Sequence, residues 1–265
     1  MSATVIAVRR GACVGPSPGR IAMALLALYA LVNTAEPAPL RPVRVFRGQR
    51  YALPPLGERR LAPAVLAPFN ASTLEPSGGK IAGVFGSKCL QPSGGNEDCL
   101  YANVYAPIHS LPKAAGGQGD GKKLPILLWI HGGGWTAGTG NSYDGNLLAT
   151  GADIVVVTIN YRLGGLGFFA SEELRASHNG GTGGMNGILD MITALRWVRA
   201  NAARFGGDPT QVTIAGESAG GEAVCSLLVS PVAKGLFQRA IIESGPCLHG
   251  TQGWGPHSAQ PRPSA

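Results

Sequence analysis

Two unbroken apolar runs, Pro125–Ile130 (PILLWI) and Ile154–Ile159 (IVVVTI), stand out in a chain otherwise rich in glycine and proline. Runs of this length without polar alternation predict strands buried on both faces, the pattern of central parallel strands. Between Ile188 and Phe205 the period changes. Ile188, Leu189, Ile192, Leu195, Trp197, Val198 and Phe205 recur at helical spacing, and Gly206-Gly207-Asp208-Pro209 supplies the stop. Val212–Ala215 (VTIA) predicts a third strand, Ala219–Leu228 a second helix and Ala240–Glu243 a fourth strand. Strands alternating with helices place the chain in the α/β class, with a mostly parallel central sheet and helices on both faces.

Upstream, residues 41–112 carry many prolines and glycines between short apolar stretches, which predicts an irregular layer of small strands and turns. Ala114–Lys123 (AAGGQGDGKK) has no large apolar anchor and predicts a flexible surface loop. No internal repeat is visible. At the N-terminus Arg9, Arg10 and Arg20 precede the apolar run Ile21–Val32 and small residues before Glu36, the layout of a secretory signal over residues 1–35. That run is too short to cross a bilayer as a helix. An Arg-rich transit peptide and a start at Met23 remain as alternatives. A folded domain is then expected over residues 36–246, with an irregular tail at 247–265.

Composition sharpens this picture in three ways. The 265 residues are 45% hydrophobic and 14% charged, so the chain buries a real core and is not a disordered one. The net charge of +7 is concentrated near the start: residues 1–60 hold 9 Lys/Arg against 2 Asp/Glu, and the remainder holds 13 against 13. A neutral body argues against nucleic acid as a partner. Asn70-Ala71-Ser72 is a glycosylation sequon, and Cys89 and Cys99 flank a loop that a disulfide could close; both agree with a secreted or lumenal protein. Cys225 lies in an apolar helical pattern and reads as a buried thiol, while Cys247 reads as an orphan whose partner lies beyond Ala265. With the signal removed no membrane span remains. No metal-ligand spacing of His and Cys and no phosphate-binding G-x-x-x-x-G-K occurs, so neither metal nor cofactor is implied.

The chemistry centres on Gly216-Glu217-Ser218-Ala219-Gly220, a G-x-S-x-G pattern with a predicted strand running in and a predicted helix running out. On such a turn the serine is exposed as a nucleophile, and the helix N-terminus offers N–H groups where an oxyanion forms. His131-Gly132-Gly133-Gly134-Trp135 follows the PILLWI strand, at the strand end where α/β sheets bind ligands. Its glycines allow consecutive N–H groups to turn towards developing charge. The candidate catalytic set is therefore Ser218 as nucleophile with the N–H groups of Gly133, Gly134 and Ala219 as the oxyanion hole.

These motifs, together with VFRGQRYALPPLG (45–57), EDCLYANVYAP (97–107), NYRLGGLGF (160–168), the run from Met185 to Val212 and FQRAIIESG (237–245), resemble the type-B carboxylesterases and cholinesterases. The resemblance covers about residues 43–246. It implies an α/β-hydrolase fold, present here as its N-terminal half and incomplete on the C-terminal side, and hydrolysis of a small-molecule carboxylic ester through an acyl-serine. It also implies a Cys89–Cys99 disulfide, ion pairs Arg60 with Glu97 and Arg162 with Asp208, and Ser244 as a hydrogen-bond partner behind the catalytic histidine. Glu217 is shared with the family and either lends negative potential to the site or is an ordinary motif residue. Quaternary-amine binders of the family carry a longer loop with a tryptophan between the first two cysteines. Here Leu90–Asp98 has no aromatic residue, so choline esters are not the expected substrate.

Ser218 needs a base and an orienting carboxylate, and in this fold the chain order is serine, acid, histidine. After Ser218 the only acids are Glu222 and Glu243, neither at the family's position, and His249 and His257 lie in the tail. His131 belongs to the glycine motif and His178 to a polar loop. The sequence therefore predicts a truncated chain of low activity with an open sheet edge after the fourth strand. The alternatives are a catalytically inactive binding or adhesion module and an inert fragment.

Overall fold

The computed structural model describes residues 6–9, 42–70, 81–115, 117, 122–177 and 184–247. Among these residues eight strands form one sheet: β1 (Ile6–Arg9), β2 (Val43–Arg50), β3 (Ile81–Ala82), β4 (Tyr101–Pro107), β5 (Leu124–Ile130), β6 (Val155–Ile159), β7 (Gly207–Glu217) and β8 (Arg239–Glu243). The spatial order is β1-β8-β7-β5-β6-β4-β2-β3. The four strands expected from the apolar runs, β5 to β8, form the parallel centre. The supposedly irregular layer is more regular than its composition suggested. It contributes β4, which pairs antiparallel with β6, and β2, which pairs antiparallel with β4 with a register irregularity between Phe46 and Gln49.

Among the described residues five helices accompany the sheet: α1 (Asn146–Ala152), α2 (Gly164–Phe168), α3 (Glu172–Ser177), α4 (Asn186–Asn201) and α5 (Ala219–Val229). Strand alternation divides the sheet's side chains between two faces. Phe46, Val104, Leu128, Val157 and Ile214 enter the main core beneath α4 and α5, whose Met191, Leu195, Trp197, Val224 and Leu227 meet them. Their neighbours Val45, Tyr105 and Val156 point the other way and pack with Ala149 of α1 in a smaller cluster. An aromatic group of Phe46, Phe69, Trp197 and Phe205 fills the end of the main core, with ring centroids 5.2 to 6.4 Å apart. Each such side chain, when fully buried, contributes about 1.5 to 3 kcal/mol by transfer from water.

The helix α4 ends as its sequence predicts: a 3-10 turn at Ala202–Phe205 runs into Gly206 at φ 71, a left-handed stop. Two expectations are corrected. The edge of β8 is paired, because Ile6–Arg9 adds antiparallel to it with Ile6 opposite Ile242. Those four residues belong to the stretch read as a signal, whose apolar run Ile21–Val32 lies outside the described residues. The loop after Leu111 is anchored at its start, where Ala115 is buried and its carbonyl accepts from Arg44 Nη1 at 2.5 Å; a small side chain suffices when the backbone supplies the bond. No helix among the described residues is long and apolar enough to cross a membrane.

Candidate active site

Ser218 stands alone between the end of β7 and the start of α5, with φ 53 and ψ −124. A non-glycine residue in that conformation costs about 1–3 kcal/mol and persists only when its surroundings over-determine it. They do so here. The Ser218 N–H donates to the Glu243 carbonyl of β8 at 2.9 Å, and its own carbonyl accepts from the Glu222 N–H at 3.0 Å. The flanking glycines allow the helix to approach the sheet. A Cβ on Gly220 would overlap the Ile130 carbonyl oxygen, and one on Gly216 would overlap the Gly220 carbonyl.

The glycine loop after β5 lies directly against the serine. A Cβ on Gly132 would sit 3.1 Å from Ser218 Cβ and 2.9 Å from Glu217 Oε2. Gly133, Gly134 and Trp135 then take φ of 111, 60 and 65 in succession, the left-handed region that glycine favours. Among the described residues, the N–H groups of Gly133 and Gly134 donate to no backbone carbonyl, and both residues are exposed. Ala219 is the first residue of α5, and a helix's first N–H groups have no intrahelical acceptor.

Side chains hold this loop from below. The indole Nε1–H of Trp135 donates to Glu222 Oε2 at 3.0 Å, its ring meets Phe168 edge-on at 4.8 Å, and its carbonyl accepts from the Gly164 N–H at 2.8 Å. The buried His131 ring stacks on Tyr161 at 4.3 Å, and its Nδ1 lies 2.7 Å from the Gly132 carbonyl oxygen. Burial lowers the His131 pKa to about 4, so the ring is neutral near pH 7. A neutral ring with Nδ1–H donating leaves Nε2 as the acceptor, and that buried atom has no partner among the described residues. The Tyr161 hydroxyl donates to the His131 carbonyl at 2.7 Å, and burial pushes the phenol well up.

The Gly132 backbone lies against Ser218 and the half-buried Glu217, Gly133 and Gly134 follow Gly132 on the same loop, and Ala219 opens α5 beside the serine. Ser244 takes φ 51 at the end of β8 and is exposed. Cys89 and Cys99 are disulfide-bonded, and Arg60 Nε lies 2.6 Å from Glu97 Oε2 at the surface. Asn70 is exposed, while Ala71 and Ser72 of its sequon lie outside the described residues, as do His178, His249 and His257. Of the two described histidines, His109 pairs with Asp153 at 3.0 Å, and neither hydrogen-bonds Ser218.

Two pairings differ from expectation. Arg162 pairs with Asp190, not Asp208: its Nε and Nη2 reach the two Asp190 oxygens at 2.8 and 2.6 Å, and its own N–H adds a third bond at 3.0 Å. Both are buried in the core. Burial pushes the Asp190 pKa up against the opposing pull of Arg162. Asp208 instead caps its own turn through the Thr210 N–H and the Gln211 amide at 2.8 and 2.9 Å, which holds its carboxyl below the ordinary range. Cys225 is no free thiol and Cys247 no orphan: they form a second disulfide, because Cys225 sits at the edge of α5's buried face, where the chain leaving β8 passes. Sequence reasoning missed Asp190 and the Trp135–Glu222 bond. An aspartate on the apolar stripe of α4 was the available signal, since a buried carboxylate needs a partner.

The Carboxylesterase family model matches residues 32–253. The chain belongs to that family. Carboxylesterase 1E of Mus musculus is 45% identical over 221 residues, and cocaine esterase of Oryctolagus cuniculus 43% over 219. These matches cover 78% and 76% of this chain but 37% of each relative, so the chain spans little more than a third of their length. Among solved structures, the Geobacillus stearothermophilus carboxylesterase EST55 is similar with a TM-score of 0.63 at 42% identity, covering 75% of this chain and 39% of that one. The sheet described above is accordingly part of an α/β-hydrolase fold.

Proposed function

We propose that this carboxylesterase-family chain carries the nucleophile and oxyanion hole of a serine carboxylic ester hydrolase. The observation that supports it most is the approach of the glycine loop to a serine held at φ 53, with Gly132 against Ser218 Cβ and the following Gly133 and Gly134 amides donating to no backbone carbonyl among the described residues. In this reading Ser218 Oγ attacks the carbonyl carbon of an ester while a base takes its proton. The carbonyl oxygen becomes an oxyanion that accepts from the Gly133, Gly134 and Ala219 N–H groups, each worth about 3 kcal/mol in the transition state. Collapse expels the alcohol, which leaves with a proton, and water then cleaves the acyl-serine. Small-molecule carboxylic esters are the substrate class, with choline esters disfavoured by the short Cys89–Cys99 loop. Two disulfides support a secreted or lumenal setting.

The base is the open term, since neither described histidine reaches Ser218. Labelling of the purified chain with a fluorophosphonate, beside Ser218→Ala, tests the reading, because such probes modify a serine that is activated. Labelling that disappears in the variant is the result the reading requires, and it would mean that a base other than the two described histidines reaches Ser218. A folded chain that takes up no probe would sink the hydrolase reading for these 265 residues.

A further inference from the structure

An oxyanion hole assembled from two elements works only if the donors keep their spacing to within a fraction of an ångström. Here the Ala219 donor rides on α5 and is fixed by helix and sheet, whereas Gly133 and Gly134 lie on an exposed loop, and a Cβ on Gly134 would meet nothing within 4 Å. Gly133 is held against the Ala137 backbone, but packing around Gly134 itself does not hold that donor. Glu222 bridges the two elements. Its backbone N–H binds the Ser218 carbonyl at 3.0 Å, and its carboxylate accepts from Trp135, the residue that follows Gly134, at 3.0 Å.

We propose that Glu222 and Trp135 are a pair of positioning residues that register the oxyanion loop against the nucleophile turn. The proposal rests on the ester-hydrolase reading of Ser218. A carboxylate in a helix's first turn also stabilises the helix dipole. That role needs the charge, whereas accepting from an indole N–H needs only an oxygen, so glutamine separates the two.

The experiment compares wild type, Glu222→Ala, Glu222→Gln, Trp135→Phe and the Trp135→Phe/Glu222→Ala double variant. It measures the rate of fluorophosphonate labelling at Ser218 and the hydrogen exchange of the 131–137 segment. Labelling about tenfold slower is expected in Glu222→Ala and Trp135→Phe, no further loss in the double variant, and near wild-type behaviour in Glu222→Gln. Exchange rises in the slowed variants at 133–135 alone. Wild-type labelling in Glu222→Ala, or equal slowing by Gln and Ala, overturns the proposal. Should wild type itself take no label, the hydrolase reading fails separately and exchange decides. Faster exchange in Glu222→Ala that Gln restores supports the pairing, and unchanged exchange overturns it.

Discussion

At the nucleophile turn, backbone meets backbone: Gly220 lies under the Ile130 carbonyl, Gly245 lies so close that a Cβ there would be 2.7 Å from the Ser218 carbonyl oxygen, and β8 accepts the Ser218 N–H. The neighbouring glycine loop has exposed backbone and is tied down by side chains, through Trp135 to Glu222 and Phe168 and through His131 to Tyr161. Steric closeness fixes the first turn; in the second, Gly132 and Gly133 are also packed against backbone, but the Gly134–Trp135 end has open space around Gly134 and is held by directional bonds at its rim. The first should therefore fail by overpacking, and the second by loss of single contacts with the fold intact.

The sharpest way to break that contrast is Gly220→Ala. Its Cβ has no room against a carbonyl oxygen in a central strand, and backbone there cannot yield without moving β5. We expect a loss of about 3 kcal/mol, at the upper end of overpacking costs, measured by equilibrium urea unfolding. A variant as stable as wild type would show that the elbow has slack. Next comes Cys225→Ser with Cys247→Ser, which frees the chain after β8 from α5 and reopens a loop with a sequence separation of 22. About 3 kcal/mol is expected from the lost constraint on the unfolded chain. If backbone packing alone fixes the elbow, fluorophosphonate labelling of Ser218 is unchanged in the folded fraction. Slower labelling would make the disulfide part of the turn.

This difference between the turns also sets what the sequence could disclose. The elbow was legible because G-x-S-x-G between a strand and a helix demands glycine at fixed offsets, and those offsets are written in the chain. Strands β5 to β8 and helix α4 were legible by their apolar period. Pairings across the fold were not. The family resemblance paired Arg162 with Asp208, and only the path of α4 brings Asp190 into the core beside it. The same holds for Trp135 with Glu222, 87 residues apart, where neither local pattern nor composition points to the partner. The strands β2 and β4 were under-read because neither carries a clean apolar period: β2 has three arginines and a glycine within it, and β4 is buried along most of its length with the polar Asn103 inside.

His131 tests the loop's side-chain support through pH. Burial lowers its pKa to about 4, below the ordinary 6.5, so the unfolded chain takes up the proton first as pH falls. Its contribution is fully present above about pH 6.5, declines as pH falls from there towards about 4, and amounts to about 3 kcal/mol at most. Unfolding of wild type and His131→Gln between neutral pH and about pH 4.5 checks this, since carboxylate effects common to both cancel. Wild type should lose more stability over that window. Parallel curves would mean that the imidazole is not held neutral under the loop.

The smallest effect on stability is expected from Gly134→Ala, and it is the most informative about the loop. Nothing lies within 4 Å of the added methyl, so the cost is that of holding alanine at φ 60, about 1 kcal/mol by the left-handed penalty for L-residues. An alanine relieves that strain by rotating its backbone, and the rotation swings the Gly134 N–H away from the space before Ser218. Stability near wild type combined with labelling slowed about a hundredfold, the cost of one oxyanion donor, is the expected pair of results. Two other outcomes remain. Destabilisation as large as in Gly220→Ala would mean that the loop is packed as tightly as the elbow and the contrast between the turns is false. Unchanged labelling would mean that the Gly134 amide does not face the reacting oxygen, leaving Gly133 and Ala219 as the donors.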